Sequence, residues 1–199
     1  MKKYSMSFTT AGLLRKETIA LASLYLDSGD WINIHERVMI DNVLQMKARS
    51  SRHRIFSEIK ARLECLNNTE KQILCSPSSS DVDVILWLAL CRCYPFIGDF
   101  AREVLREKFI TLQRYIDFSD YALFVERESA FHPEILNLRD STSRRLRQML
   151  FQFLRGCGML SRDNMIQPVI FSPVVDSLFC SGDPSEIQYY PVIQKVVPR

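Results

Sequence analysis

The side chains in this 199-residue chain that could do chemistry are mostly cations, and they come in two blocks. The sharper block runs from Thr142 to Arg155. At 3.6 residues per turn, Leu146, Met149, Leu150 and Phe153 form one stripe. Arg144, Arg145, Gln148, Phe151, Gln152 and Arg155 fall on the opposite half of the wheel, with Arg147 at the border. Arg and Gln make paired hydrogen bonds to guanine and adenine edges in a major groove. Gly156 and Gly158 end the helix, and the turn signal Asp163-Asn164 inside Met159–Phe171 predicts a small hairpin. Helix, glycines and hairpin together suggest the recognition helix and wing of a winged helix-turn-helix, with Arg162 on the wing. A solvated Arg-rich face is the plainer alternative, and the hairpin tips the balance against it.

The second block holds Lys47, Arg49, Arg52, His53, Arg54 and Lys60. Ser50 and Ser51 open a helix among these cations. Hydroxyls, cations and the free N–H groups of a helix start are what phosphate oxygens accept from. The helix pair Trp31–Leu44 and Ser51–Leu66 also fits a helix-turn-helix, a loose signal because such pairs are common. A solvated basic turn explains the same residues equally well.

Other constellations carry less. Glu58-Ile59-Lys60, with Asp41 upstream, spells the E-x-K of metal-dependent nucleases. The motif works when both side chains leave a strand on one face; on a helix, positions i and i+2 point about 200° apart, so the geometry fails. Cys91 and Cys93 fail the same test and read as small core residues. His35, His53 and His132 lack metal-ligand spacing, and no nucleophile elbow or phosphate-binding glycine loop occurs. Asp81, Asp83, Glu126 and Glu128 read as caps and solvated faces. The expectation is a protein that is not an enzyme and needs no cofactor or metal.

Charge sharpens the case for a polyanion. Residues 47–62 and 139–162 each carry +5, whereas the whole chain carries +3, which leaves −7 for the remainder. Two basic blocks on an otherwise acidic protein point to a specific anionic partner. Six cysteines without a C-x-x-C pair, and an N-terminus without an apolar signal region, suggest reduced thiols in a cytoplasm.

The elements that must position these cations are helical. An apolar content of 47% is enough for a core, and scarce glycine and little alternation argue against sheet. Asp83–Ile97 is the centre: from Val84 to Tyr94 only Arg92 is charged. A helix apolar on every face belongs inside something. A bilayer would need about 20 apolar residues, and Arg92 and Pro95 cut this run short, so it reads as the buried post of a bundle. Around it, helices are expected from Thr9 or Thr10 to Ser28, from Trp31 to Leu44, and from Ser51 to Leu66. Further helices are expected from an Asp99 cap to Ile116, from Asp117, from Pro133 to Leu138, and after Ser172. Asp81 or Asp83 should cap the central helix, and the tail to Arg199 should be extended. The predicted class is all-α, a mainly helical bundle with a small C-terminal β-hairpin or wing. Two packed subdomains are expected: 1–76 with the first basic block, and 77–199 with helix 142–155, hairpin and tail.

Several stretches resemble the BrxA family of bacterial BREX phage-defence systems. They are YSMSFTTAGLL (Tyr4–Leu14), GDW (Gly29–Trp31), LALCRCYPFIGDFAREVLREKF (Leu88–Phe109), STSRRLRQMLFQFLRGCGML (Ser141–Leu160) and IQPVIFSP (Ile166–Pro173). The resemblance implies a NusB-like helical fold, a capacity to bind DNA, and a place beside other BREX components such as a site-specific methyltransferase. It brings no catalytic residues. The family's description as an inner-membrane protein conflicts with the short central helix. The combined expectation is double-stranded DNA binding, largely through phosphate and without a membrane. A protein–protein adaptor, or RNA binding by analogy with NusB, are the alternatives.

Overall fold

A computed structural model of the chain describes residues 4–9 and 12–193. The expected Thr10 cap, the extreme N-terminus and the last residues of the expected extended tail lie outside them. Leu14, at φ 56°, turns the chain into α1 (Arg15–Ser28), so the helix starts later than expected. Gly29 at φ 64° ends it, and the Asp30 side chain accepts from the Ile32 amide to start α2 (Trp31–Ile40). α2 stops short of Leu44. The Asn42 carboxamide accepts from the Met46 amide, and both Asn42 and Gln45 sit at positive φ, which knots the linker.

α3 (Arg49–Glu64) buries Phe56, Ile59 and Leu63 along its expected stripe. Asn67 and Glu70 exchange bonds with each other's backbone in a capping box that opens α4 (Asn68–Leu74). The central helix, α5 (Ser79–Cys93), is capped by Ser78; Asp81 instead accepts from the Ser172 hydroxyl, and Asp83 pairs with Arg15. Every residue from Val84 to Cys91 is buried.

Tyr94 breaks α5, and Pro95 takes the first position of α6 (Pro95–Phe100), where its missing N–H costs nothing. Asp99 therefore lies inside a helix and does not cap one. α6 continues through a π-helical stretch (Ala101–Arg106) into α7 (Glu107–Ile110). Leu112, at φ 61° and 86% exposed, ends the run well before Ile116, which is buried from the loop instead. Asp117 caps α8 (Phe118–Ser129). Tyr121 and Phe124 form its inner face, while Phe118 and Ala122 are exposed. α9 (Pro133–Leu136) is a single turn, and α10 (Asp140–Gly156) follows.

The expected C-terminal hairpin or wing does not form. Only isolated antiparallel bridges occur here, Leu160 with Ile166 and Tyr115 with Met165. Beyond Gln167, Pro168 has no N–H to donate, and the Val169 amide turns away to the Pro191 carbonyl at 3.0 Å. α11 (Pro173–Ser181) and a 3₁₀ turn (Pro184–Tyr189) complete the described chain.

α5 packs against α3, α4, α6, α10 and the 3₁₀ turn. Its polar atoms are matched one by one. Trp87 Nε1 donates to the Tyr189 carbonyl at 2.8 Å, and the buried Tyr190 hydroxyl donates to the Val84 carbonyl at 2.8 Å. Arg92 donates to both Glu186 oxygens (2.6 and 2.7 Å), to both Glu70 oxygens (2.8 and 2.9 Å) and to the Cys65 carbonyl (2.9 Å). Those bonds, to Glu186 first, hold its pKa above the usual guanidinium value. Among the described residues no single helix is long and apolar enough to cross a bilayer. α5 and Pro95–Ile110 reach that length only together, across a 118° bend.

Arg92→Leu should leave Glu70 and Glu186 facing each other with no cation between them. We expect a loss of about 3–5 kcal/mol at neutral pH in urea unfolding.

Candidate nucleic-acid interface

α10 has no side-chain cap at its start, and its strong two-sidedness sets it on the core. Leu146, Met149, Leu150, Phe153 and Leu154 are buried as one stripe. Phe151, expected on the outer half, is buried too. It meets the Phe118 ring edge to face at 5.0 Å, and Arg155 covers it at 5.7 Å. The buried arc is wider than the sequence pattern implies because α8 arrives on that side.

The outer face keeps Arg144, Arg145, Gln148, Gln152 and Arg155 exposed. Arg144 makes one long bond, 3.4 Å, to the Asp140 carbonyl of its own helix. Arg155 donates to the Asn164 carboxamide oxygen at 2.5 Å. Arg145, Gln148 and Gln152 engage no partner among the described residues. Arg147 behaves differently: half-buried, it lays its guanidinium 4.3 Å over the Phe118 ring, and is a packed side chain. Arg162 is exposed in the turn that follows, with no strand to carry it as a wing.

The first block divides in the same way. Lys47, Arg49 and Arg54 are exposed and without partners among the described residues. Ala48 precedes α3 and has no side chain with which to cap it. Arg52 is half-buried and donates to the Met39 carbonyl at the end of α2 (2.9 Å). His53 lies 3.4 Å from His35, nitrogen to nitrogen. Lys60 sits 5.8 Å over the Trp31 ring and 3.6 Å from Glu64. Arg62, which adds to the local charge in the sequence, is buried. It donates to Glu58 at 2.9 Å and to the Gly12 and Leu13 carbonyls. It also lies 5.4 Å over Phe153, so the inner faces of α3 and α10 meet through one arginine. Glu58 further accepts from the Tyr94 hydroxyl, and burial followed by that bond pushes the Tyr94 pKa up. Glu58 and Lys60 thus face different neighbours.

The structure adds residues that sequence reasoning missed. Loop 113–117 pairs with loop 161–167: the Ile116 amide donates to the Asn164 carbonyl (3.1 Å) and the Ile166 amide to the Arg114 carbonyl (2.8 Å). This brings exposed Arg114, Tyr115 and Phe118 beside α10. Nothing in the local pattern signals it, because the pairing spans some fifty residues. A groove of about 580 Å³ lies elsewhere, between α4, α5, α11 and the 3₁₀ turn. Its one cation, Arg92, has every donor engaged, so the groove offers nothing to an anion. Among the described residues no cluster of three or more His, Cys, Asp or Glu could hold a metal. Among the described residues no cysteine forms a disulfide. Burial pushes the Cys157 thiol up to about 12 and Cys91 well up as well, which keeps both neutral.

A family model described as BrxA matches residues 2–181. The BREX protein BrxA of Escherichia coli O9:H4 (strain HS) is 23% identical over 163 residues, 81% of this chain and 76% of its own. The BREX protein BrxA of Bacillus cereus (strain H3081.97) is 21% identical over 154 residues, 75% of this chain and 77% of its own. The crystal structure of an uncharacterized protein from Magnetospirillum magneticum superposes with a TM-score of 0.81 at 20% identity, covering 96% of this chain and 98% of that one, and so shares the fold.

The division between packed and free cations is measurable. Arg52→Ala should cost about 1.5–3 kcal/mol in urea unfolding, the worth of a charged hydrogen bond at a helix end. Arg54→Ala, two residues on, should stay within about 0.5 kcal/mol of the parent.

Proposed function

The chain belongs to the BrxA family, and from that premise we propose that it is the DNA-binding component of a BREX phage-defence system, holding the duplex mainly by its phosphates. One observation carries this reading. The outer face of α10 exposes Arg144, Arg145, Gln148, Gln152 and Arg155, and no carboxylate among the described residues pairs with any of them. Folding leaves that charge unneutralised while it pairs Arg15, Arg62, Arg92, Arg102 and Arg127 with acids elsewhere. A partner that brings phosphates supplies the missing anions. Lys47, Arg49 and Arg54 form a second patch of the same kind. The protein acts by binding and does no chemistry on the DNA, works in the cytoplasm, and has other BREX components as protein partners.

Each cation that displaces a counterion steepens the salt dependence, so the salt slope reports how many take part. Seven of the cations expected as contacts are exposed: Lys47, Arg49, Arg54, Arg144, Arg145, Arg155 and Arg162. If all seven grip one duplex, affinity should fall roughly 10⁴-fold between about 50 and 200 mM salt. If the α10 patch acts alone with four, the fall should be about 150-fold. A flat titration sinks the proposal. Arg144→Glu with Arg145→Glu should weaken duplex binding by at least about 30-fold at roughly 150 mM salt and leave the circular dichroism spectrum unchanged. If that variant still binds DNA but no longer assembles with BREX proteins, the face is an adaptor surface instead.

A further inference from the structure

Beside the basic face of α10 stands an aromatic ring held ready with nothing to stack on. Tyr115 is 57% exposed and its ring meets no other ring among the described residues. Its backbone, by contrast, is fixed from two sides. It bridges antiparallel to Met165, and its carbonyl accepts from Lys108 Nζ at 3.0 Å, while Lys108 is itself held by Asp120 at 2.5 Å. Exposed apolar side chains usually sit alone and loosely; this one is braced on a paired double loop.

Its surroundings select the occupant. Asn164, next to Met165, accepts from Arg155 of α10, so the ledge is joined to the basic face. Arg114 and Arg162 are exposed on the same two loops. Of the acids there, exposed Asp117 accepts from the Ser119 hydroxyl and the Ser119 and Asp120 amides, which hold its carboxyl below the usual range, and Asp120 is paired with Lys108. Asp163 is the other carboxylate. An exposed ring flanked by arginines matches a ligand that carries both flat apolar rings and negative charge. A base stacks on such a ring whatever its identity, and the adjoining phosphates meet the cations.

We propose that Tyr115 is a stacking platform for an unpaired nucleobase, lying at the edge of the α10 interface. The site takes a base that has left the duplex, in an overhang, a bulge or a junction. It extends the duplex grip proposed above and rests on that reading of α10. Phe118, three residues on, is the other exposed ring here, but Phe151 and Arg147 already occupy it.

The test uses the full chain with two DNA probes of one sequence: a blunt duplex, and the duplex with a single-stranded extension containing 2-aminopurine. The extended probe should bind more tightly and its fluorescence should be quenched. Tyr115→Ala should remove the quenching and weaken the extended probe by roughly 5- to 150-fold, with blunt-duplex binding unchanged. Tyr115→Phe, which keeps the ring, should retain both effects. Equal binding of the two probes by the parent protein overturns the proposal, as does a Tyr115→Ala variant that quenches like the parent. Self-association in sedimentation that Tyr115→Ala abolishes, with DNA binding untouched, assigns the ledge to a second copy of the chain and also overturns it. The duplex reading fails separately: in that event neither the blunt probe nor its loss in the Arg144→Glu, Arg145→Glu variant gives a signal, while quenching of the single-stranded segment still reports on Tyr115.

Discussion

α5 has no polar side to rest against water, and the remaining elements are arranged to meet that constraint. Leaving any face of Val84–Cys91 in solvent forfeits about 25 cal/mol for each Å² of apolar surface. One neighbouring helix cannot cover a cylinder. α3, α4, α6 and α10 therefore take different sides, and the last gap is closed by the 3₁₀ turn and the strand-like segment after it. The C-terminal segment contributes the fully buried Tyr190 ring, which packs on Phe171 and Phe179.

Enclosure of this kind brings polar atoms inside, and each then needs a partner. The indole of Trp87 reaches the Tyr189 carbonyl on the C-terminal segment, and the hydroxyl of Tyr190 reaches back to the Val84 carbonyl of α5. Buried Arg106, in the π-helical stretch, donates to the carbonyls of Tyr190 and Val192. The N-terminal segment is secured by the same means. Tyr4 stacks on His132 at 3.6 Å and its hydroxyl sits between Asp99 (2.8 Å) and Glu128 (2.7 Å), sharing its one proton with them, and burial with those two carboxylates pushes its pKa up. Chain ends often fray; here both described ends are tied to the core by directional bonds.

Function, in the reading proposed, sits where this matching stops. Many arginines in the chain are spent on carboxylates, carbonyls or rings. Arg145 on the outside of α10 and Arg49 and Arg54 on α3 are not, and Arg144 and Arg155 meet no carboxylate among the described residues; these are the ones with charge left for a partner. The same rule separates residues that look alike on a helical wheel. Arg147 and Arg145 differ by two positions; one lies over Phe118 and the other has no partner among the described residues. Phe151 and Phe118 trade roles in a similar way. The former is drawn inward by the arrival of α8, and the latter is left on the surface beside it.

Periodicity alone determined much of the protein. The apolar run of α5, the stripes of α3 and α10, the Gly29 stop, the Asp30 and Asp117 caps and the Pro95 break are written in local spacing, because each depends on neighbours within a turn or two. So are the basic blocks, and the BrxA resemblance rests on stretches of that same local sequence. Tertiary structure decided what local spacing cannot encode. It determined that the Met159–Phe171 segment closes on itself only as far as the single Leu160–Ile166 bridge and pairs with loop 113–117 as well, with no longer hairpin, since Pro168 withholds a donor and Val169 finds its acceptor on Pro191. It also determined which of thirteen candidate contacts are free, because the carbonyl that claims Arg52, the ring under Arg147 and the acid beside Lys60 are supplied by packing geometry. A side chain's charge is a property of its type; whether that charge is already spent depends on what folds against it.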